Sequence, residues 1–205
     1  KDTTFWKSFK LNNKLDFIAG WYIDEKVCDQ MIEYFKKTNK NESGVKQVGS
    51  IMFNGKKKID KFIKDSIDLP INSTTKDKEP LKYLNELEKV CNLYTEKYNW
   101  SSANQEQWSI VESFNIQKYP KKGGYKIWHT ERNGSKSKLN RHLVFMTFLN
   151  DIKSKGETEW YHQKLKVKPK KGLTFIWPAD WTFTHRGIPS EKEIKYIATG
   201  WYSYV

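Results

Sequence analysis

Two segments in the first half of the chain carry apolar residues at helical spacing. The first follows Asp24, a residue that can cap a helix, and should end within the polar stretch Asn39–Gly44. The second should begin after Lys78, with Pro80 in the first turn, where a missing N–H breaks no helical hydrogen bond. Both stripes predict helices that pack against another layer of the protein.

The rest of the chain shows the pattern of strands and turns. Gly49–Phe53 and Ile59–Ile67 are predicted as short strands, and Asn72–Asp77 is rich in turn residues. From Trp108 onward, apolar and polar residues alternate with a period of two, and loops that contain glycine separate the alternating runs. The predicted strands are Glu112–Tyr119, Tyr125–Glu131, Arg141–Asn150, Thr158–Tyr161, Gln163–Val167, Leu173–Trp177 and Lys195–Tyr204.

This order of elements predicts the fold class. About seven strands at short spacing, with no helix between them, are typical of an antiparallel sandwich or barrel. We therefore expect an α+β protein in which the N-terminal helices cover one outer face of the strands. We expect one domain over residues 1–205, with helical support and outer strands in 1–107 and the core barrel in 108–205.

Composition excludes several classes of protein. Aromatic residues make up 15% of the chain, with nine Trp, and disordered chains lack such aromatic content. No apolar run approaches the ~20 residues that span a membrane, so we expect no membrane partner. The two cysteines, Cys28 and Cys91, cannot form a disulfide scaffold and are predicted to be buried thiols. Buried free thiols favour a reducing compartment. No leader sequence is visible at Lys1, so we expect a cytoplasmic location.

The net charge of +13 raises the possibility of a nucleic-acid partner. However, only Arg132, Arg141 and Arg186 are arginines, and the remaining basic residues are scattered lysines. Recognition of phosphates and base edges favours the bidentate arginine side chain. Nucleic acid is therefore a less favoured partner than the charge alone indicates.

Three residues form a candidate metal site. His129 and Glu131 lie two residues apart at the end of a predicted strand, so their side chains should point to the same face. His185 lies at the start of the segment that leads into the last strand. Two imidazoles and one carboxylate on one side of an ion are the ligand set of non-haem Fe(II) oxygenases. The spacing alone is also compatible with an incidental pair on a strand.

Further motifs surround these residues from about Glu112 to Val205. They are Tyr119-Pro120-Lys121-Lys122-Gly123-Gly124-Tyr125, His129-Thr130-Glu131, Arg141, Phe148-Leu149-Asn150, Gly156-Glu157-Thr158, Pro169-Lys170-Lys171-Gly172, His185-Arg186-Gly187-Ile188-Pro189 and Lys195–Tyr202. Together they resemble the 2-oxoglutarate- and Fe(II)-dependent dioxygenases, and within that superfamily the prolyl 4-hydroxylase branch. The resemblance implies a double-stranded β-helix, or jelly-roll, barrel with N-terminal supporting helices.

The resemblance also implies cofactors and roles for individual residues. His129, Glu131 and His185 would be the catalytic metal ligands for Fe(II), with 2-oxoglutarate and O2 as co-substrates and ascorbate as an activator. Lys195 would bind the far carboxylate of 2-oxoglutarate, with help from Tyr119 and Thr199. The implied reaction hydroxylates a C–H bond and releases succinate and CO2.

One ligand departs from the family's pattern, which usually has Asp where this chain has Glu131. The charge and ligand type are kept, so we expect iron binding and hydroxylation to be kept as well. From the sequence we expect a Glu131→Asp variant to retain or raise iron affinity.

The substrate is predicted less directly. Arg132–Asn140 could cover the site, Lys40–Lys58 could form the strand and loop that clamp a peptide in prolyl hydroxylases, and Trp128 and Trp181 could wall a groove. We expect a prolyl residue of a peptide or protein as substrate. Two alternatives stay open: a nucleic-acid-modifying oxygenase of the same fold, and a non-catalytic barrel that uses its cleft for binding.

Overall fold

Two α-helices and a set of antiparallel strands make up the computed structural model of the chain, which describes residues 8–9, 17–53 and 55–205. The α-helices are α1 (Glu25–Lys37) and α2 (Lys78–Lys97). The strands are β1 (Ser8–Phe9), β2 (Ala19–Tyr22), β3 (Lys40–Asn41), β4 (Gly44–Val45), β5 (Gln47–Val48), β6 (Ile51–Phe53), β7 (Lys56–Lys58), β8 (Ile67–Ile71), β9 (Trp108–Ser109), β10 (Phe114–Tyr119), β11 (Arg141–Phe148), β12 (Thr158–Trp160), β13 (Leu165–Val167), β14 (Leu173–Pro178), β15 (His185–Gly187) and β16 (Lys195–Tyr204).

Both predicted helices are confirmed, and their ends have physical causes. The Asp24 side chain accepts a hydrogen bond from the Lys26 N–H at 2.9 Å and so caps α1. Glu25 in the first turn and Lys36 in the last turn of α1 complement the helix dipole. Pro80 lies in the first turn of α2, as its missing N–H requires.

Two sheets form the body of the molecule. The larger has nine strands in the order β1-β2-β14-β11-β16-β10-β8-β5, with β9 paired to the end of β16, and the smaller has the order β13-β12-β15. All the pairings are antiparallel, which confirms the predicted class. The fold is a jelly roll, but among the described strands the large sheet does not close into a barrel. The predicted α+β jelly-roll fold with N-terminal supporting helices is therefore confirmed, and it is built here from two facing sheets.

The large sheet is buried on both faces, and this explains the continuous apolar run of β11. Leu143 and Phe145 belong to the cluster that packs against α1 and α2. Their neighbours Val144 and Met146 belong to the cluster that contains Trp160 of the small sheet. Successive side chains of a strand point to opposite faces, so one strand serves both layers. The helices therefore cover one face of the large sheet, as predicted, and the small sheet faces the other.

Two predicted strands are wrong. Within 59–67 the chain turns, because the Asp60 carbonyl accepts from the N–H groups of Ile63 and Lys64. Within 125–131 the structure has isolated bridges instead of a strand. There the Lys126 N–H bonds to the Ile63 carbonyl and the His129 N–H to the His185 carbonyl, so the hydrogen bonds go to different segments. No helix among the described residues is long and apolar enough to cross a bilayer.

Candidate active site

A cavity of about 420 Å³ is lined by residues of both sheets. On β16 its lining residues are Lys195, Ile197, Thr199 and Trp201, every second residue of the strand. His129, Glu131, His185 and Tyr119 also line it. The structure therefore brings all six residues singled out in the sequence to one cavity.

A backbone bridge holds His129 opposite His185. The His129 N–H donates to the His185 carbonyl at 3.0 Å, and the His185 N–H donates to the His129 carbonyl at 2.9 Å. The centroids of the two rings lie 4.4 Å apart. Tyr125 stacks on the His129 ring at 3.7 Å, and Trp177 meets the His185 ring edge-on at 5.2 Å. The backbone bridge between His129 and His185 thus brings the two imidazole rings together, although no regular strand forms there.

Both histidines present Nε2 to the cavity, and the partner of Nδ1 sets the tautomer of the neutral ring. The Nδ1 atom of His129 lies 3.0 Å from the Ile127 carbonyl oxygen, and that of His185 lies 2.9 Å from the Phe183 carbonyl oxygen. A carbonyl oxygen only accepts hydrogen bonds, so in each neutral ring the proton lies on Nδ1 and Nε2 carries a lone pair. This is the tautomer that a metal-binding imidazole needs.

The two oxygens of the Glu131 carboxylate have different neighbours. Oε1 lies 3.6 Å from His129 Nε2 and 3.4 Å from His185 Nε2. Oε2 accepts a hydrogen bond from Trp201 Nε1 at 2.9 Å and one from Arg141 Nη1 at 3.3 Å. The contacts of Oε2 are made within the protein, so Oε1 is the oxygen that faces the two histidines.

Arg141 is held by more than Glu131. Its Nε and Nη2 atoms donate to the two carboxylate oxygens of Glu112 at 2.9 and 2.7 Å. Its guanidinium lies 3.5 Å from the ring centroid of Trp201. Arg141 therefore contacts the Glu131 carboxylate and forms an ion pair with Glu112 at the same time.

The electrostatics of the three residues suit a cation. Burial lowers the pKa of His129 to about 3, with a further contribution from His185, so the ring is neutral at ordinary pH. Burial acts to raise the pKa of Glu131, but the contact with His185 and the nearby His129 and Arg141 side chains outweigh it and hold this pKa well below its usual range. The candidate ligand atoms of His129, Glu131 and His185 lie within 4.8 Å of one another.

Lys195 is buried at another part of the same cavity. Its ammonium donates one hydrogen bond, to the Gly156 carbonyl at 3.0 Å, and lies 5.1 Å from the Tyr119 ring centroid. Burial lowers the pKa of Lys195 to about 8, while Glu157 acts in the opposite direction. An ammonium has three donors, so Lys195 keeps N–H groups that no described residue accepts.

Tyr119 and Thr199 line the cavity but use their hydroxyl protons inside the protein. The Tyr119 hydroxyl donates to Gln117 Oε1 at 2.7 Å, and the Thr199 hydroxyl donates to the Phe145 carbonyl at 3.0 Å. Gln117 continues the network to Asp68 at 3.3 Å. Asn115 and Gln117 line the cavity, as their alternation with Tyr119 suggested.

Two segments that the sequence associated with the substrate lie at this cavity. Ile51, Met52 and Lys57 of the β6–β7 hairpin line it, and so does Lys138 from the segment Arg132–Asn140. That segment is anchored by the Arg132–Asp180 ion pair, with an N–O distance of 2.6 Å. Trp128 and Trp181 do not line the cavity.

The other candidate residues have structural or surface positions. His142 lies near the Ser101 carbonyl at 2.7 Å and the Tyr204 hydroxyl at 3.0 Å, and His162 is exposed. Cys28 and Cys91 are buried, and burial raises the pKa of Cys28 to about 12. These positions agree with the sequence interpretation.

Sequence reasoning missed three residues of this site. Trp201, a donor to Glu131, could have been found, because it alternates with Lys195 and Thr199 on one strand face. Glu112 was predicted to begin a strand, but β10 begins at Phe114, so the alternation of that strand does not place Glu112. Lys138 lies outside regular strands, so no periodic pattern indicated its position.

Comparison with known proteins agrees with this geometry. Residues 114–203 match the family model described as the 2OG-Fe(II) oxygenase superfamily. No curated protein sequence matches the chain.

Three solved structures share its architecture. A viral collagen prolyl hydroxylase from Paramecium Bursaria Chlorella virus-1, in a 2OG complex, is 16% identical, covers 100% of this chain and 98% of its own, and has a TM-score of 0.64. A Pseudomonas putida prolyl-4-hydroxylase is 12% identical, with 91% and 92% coverage and a TM-score of 0.68. A Trichoplax adhaerens prolyl hydroxylase in complex with a hypoxia inducible factor peptide fragment is 16% identical, with 98% and 84% coverage and a TM-score of 0.64. The chain therefore shares the fold of these proteins.

Proposed function

We propose that the chain, whose residues 114–203 match the family model described as the 2OG-Fe(II) oxygenase superfamily, is an enzyme of that superfamily and hydroxylates a prolyl residue of a peptide or protein. Enzymes of this superfamily use Fe(II), 2-oxoglutarate and O2. The co-products of the proposed reaction are succinate and CO2. Residues 1–205 would act as one domain, since the core cluster joins residues on both sides of position 108.

One observation carries the proposal: three candidate ligand atoms converge on one point of the cavity. The Nδ1 atoms of both histidines lie at backbone carbonyls, so the Nε2 atoms face Glu131 Oε1, which lies 3.4 Å from His185 Nε2 and 3.6 Å from His129 Nε2. A cation among these atoms would be bound by all three of them. Two neutral imidazoles and a carboxylate fit Fe(II), and His129, Glu131 and His185 would hold it.

The residues of the chain have distinct tasks in this reaction. Bound Fe(II) would supply O2 activation, with 2-oxoglutarate as the reductant that is converted to succinate and CO2. Lys195 would pair with the far carboxylate of 2-oxoglutarate. Trp201 and Arg141 orient Glu131, while apolar residues such as Met146 and Ile197 exclude water from the cavity.

The prolyl substrate is supported by the fold and by the cavity wall. Each of the three similar structures is a prolyl hydroxylase by its description, and one of them holds a peptide. In this chain the β6–β7 hairpin and the segment 132–140 supply lining residues from which a peptide could be held. Buried thiols at Cys28 and Cys91 are consistent with the proposed cytoplasmic location.

The test is turnover of 2-oxoglutarate with proline-containing peptides. The protein, supplied with Fe(II) with or without ascorbate, should form succinate and add one oxygen atom to the peptide in equal amounts. The His129→Ala variant should do neither, although it folds. Coupled turnover on oligonucleotides and not on any peptide would assign the protein to nucleic-acid modification, and failure to bind metal would leave a binding module.

A further inference from the structure

Most charged side chains that line the cavity have a partner of opposite charge within the protein. Lys64 pairs with Asp68 at 2.6 Å, and Arg186 Nε donates to Glu159 at 2.8 Å. Arg141 is bonded to Glu112 and Glu131. These groups cancel one another, apart from the one negative charge that Arg141 leaves uncompensated on its two carboxylates.

The remaining central charges balance once the proposed cofactors are bound. The two positive charges of Fe(II) equal the two negative charges of 2-oxoglutarate. In the sum over these groups, the positive charge of Lys195 equals the one negative charge that remains on Glu112 and Glu131 after pairing with Arg141. The centre of the loaded cavity is then neutral, and it offers no electrostatic preference for a charged substrate.

Two further lysines of the cavity wall have no ion-pair partner among the described residues. Lys57 lies on β7, opposite Met52 of β6, and is exposed. Lys138 lies in the segment 132–140 and is half-buried, and burial lowers its pKa. Among the described residues neither ammonium has an ion-pair partner, although both line the same cavity as the metal ligands.

A half-buried, unpaired ammonium is an unusual feature with a cost. It has lost part of its hydration, and no carboxylate of the described residues forms an ion pair with it, although Glu131 and Glu112 act on it from beyond ion-pair distance. A carboxylate on an incoming ligand would recover this free energy. The two lysines come from the two segments that flank a substrate path, so they could contact both sides of a bound chain.

We infer that the substrate is an acidic peptide segment, in which Asp or Glu side chains flank the hydroxylated residue and pair with Lys57 and Lys138. This inference rests on the proposed function, because it names the substrate class of the same cavity. Both lysines are specificity residues and have no part in the chemical step.

The inference is tested by binding of three fluorescein-labelled peptides. The peptides have equal length and one central Gly-Pro-Gly, flanked on both sides by Glu, Gln or Lys. Fluorescence anisotropy is measured with the full chain in the presence of Mn(II) and 2-oxoglutarate, at several salt concentrations. We expect the Glu peptide to bind about tenfold more tightly than the Gln peptide at low salt, and the Lys peptide to bind most weakly. The preference should shrink as salt rises.

Matched variants assign the preference to the two lysines. The Lys57→Gln, Lys138→Gln double variant should reduce the Glu preference to about twofold or less. A control that changes net charge equally, Lys76→Gln with Lys168→Gln, should keep the preference, because both lysines are exposed and outside the cavity lining. If the Lys138 variant fails to fold, Lys57→Gln alone should still lose part of the preference, since Lys57 is fully accessible on its hairpin.

The outcomes separate this inference from the proposed function. Equal binding of the three peptides, by a protein that still converts 2-oxoglutarate to succinate, overturns the acidic-substrate inference and leaves the function standing. Absence of 2-oxoglutarate conversion, with the peptide preference intact and lost in the double variant, overturns the function alone. Tighter binding of single-stranded RNA than of the Glu peptide, reduced in the same double variant, would replace the peptide by nucleic acid.

Discussion

Two buried cations of the cavity, Arg141 and Lys195, are held in opposite ways. Arg141 makes charged hydrogen bonds to both oxygens of Glu112 and one to Oε2 of Glu131. Lys195 is at least as deeply buried, yet it has a single neutral acceptor, the Gly156 carbonyl. Arg141 is thus compensated by the protein itself, whereas Lys195 is not.

The difference indicates which cation is structural and which awaits a ligand. A buried charge without a counter-charge lowers stability, so it is retained only where something compensates for it. The pairs around Arg141 keep Glu131 in position before any metal arrives. The open donors of Lys195 leave a place for an anion. Variants at the two positions should therefore fail in different ways.

The largest effect is expected when Arg141 is replaced by methionine. Arg141→Met leaves Glu112 and Glu131 without their cation, and breaking a buried ion pair from one side should cost about 3 kcal/mol of unfolding free energy. Urea unfolding followed by tryptophan fluorescence measures this. Glu112 is partly accessible to water, so an Arg141→Met protein as stable as wild type would show that solvent already compensates for both carboxylates.

The matching replacement, Lys195→Met, should spare stability and remove ligand binding. It deletes an uncompensated buried charge, so the unfolding free energy should stay the same or rise, in contrast to the loss expected for Arg141→Met. The Kd of 2-oxoglutarate should rise about hundredfold, because a charged hydrogen-bonded pair is lost. Calorimetric titration with Mn(II) present measures this, and Lys168→Met is the control. Unchanged 2-oxoglutarate affinity would remove Lys195 from the binding site.

The contrast between these residues also shows what the sequence could and could not predict. Lys195 lies on a regular strand, so alternation placed it beside Thr199 on the cavity face. Glu112 precedes β10, and its ion pair with Arg141 joins positions 29 residues apart. Local periodicity carries no information about such a pairing, so the sequence left the role of Arg141 open.

Contacts between distant positions also explain why the strands predicted within 59–67 and 125–131 are wrong. β16 pairs with β10, β11 and β9 over its length, so its alternation places every second side chain at one cavity. In 125–131, hydrogen bonds go to Ile63 and His185 in turn, so no regular ladder forms although the residues alternate. The three candidate ligands still converge, because the bridge brings His129 to His185 while Trp201 and Arg141 hold the Glu131 carboxylate.

A smaller effect is expected in the pH dependence of 2-oxoglutarate binding. Burial lowers the pKa of Lys195 to about 8 in the free protein, so the side chain is charged below pH 8 and loses its proton above it. Affinity for the dianion should therefore be constant below pH 7 and fall about tenfold by pH 9. A Lys195→Arg variant stays charged, so any affinity that it retains should not vary over this range. A flat wild-type profile would mean that the Lys195 proton is not required.

The smallest effect concerns the length of the Glu131 side chain, where the structure changes the expectation drawn from the sequence. Oε2 is held by Trp201 Nε1 at 2.9 Å while Oε1 faces the two histidines. A side chain shorter by one methylene cannot keep both contacts, so Glu131→Asp should bind Mn(II) about fivefold more weakly, the value of one hydrogen bond.

Trp201→Phe should weaken metal binding by a similar factor in wild type and by little in the Glu131→Asp background, because both changes break the same contact. Metal titration of the four proteins measures this coupling. If Glu131→Asp bound metal as tightly as wild type, the Trp201 contact would not set the position of the carboxylate.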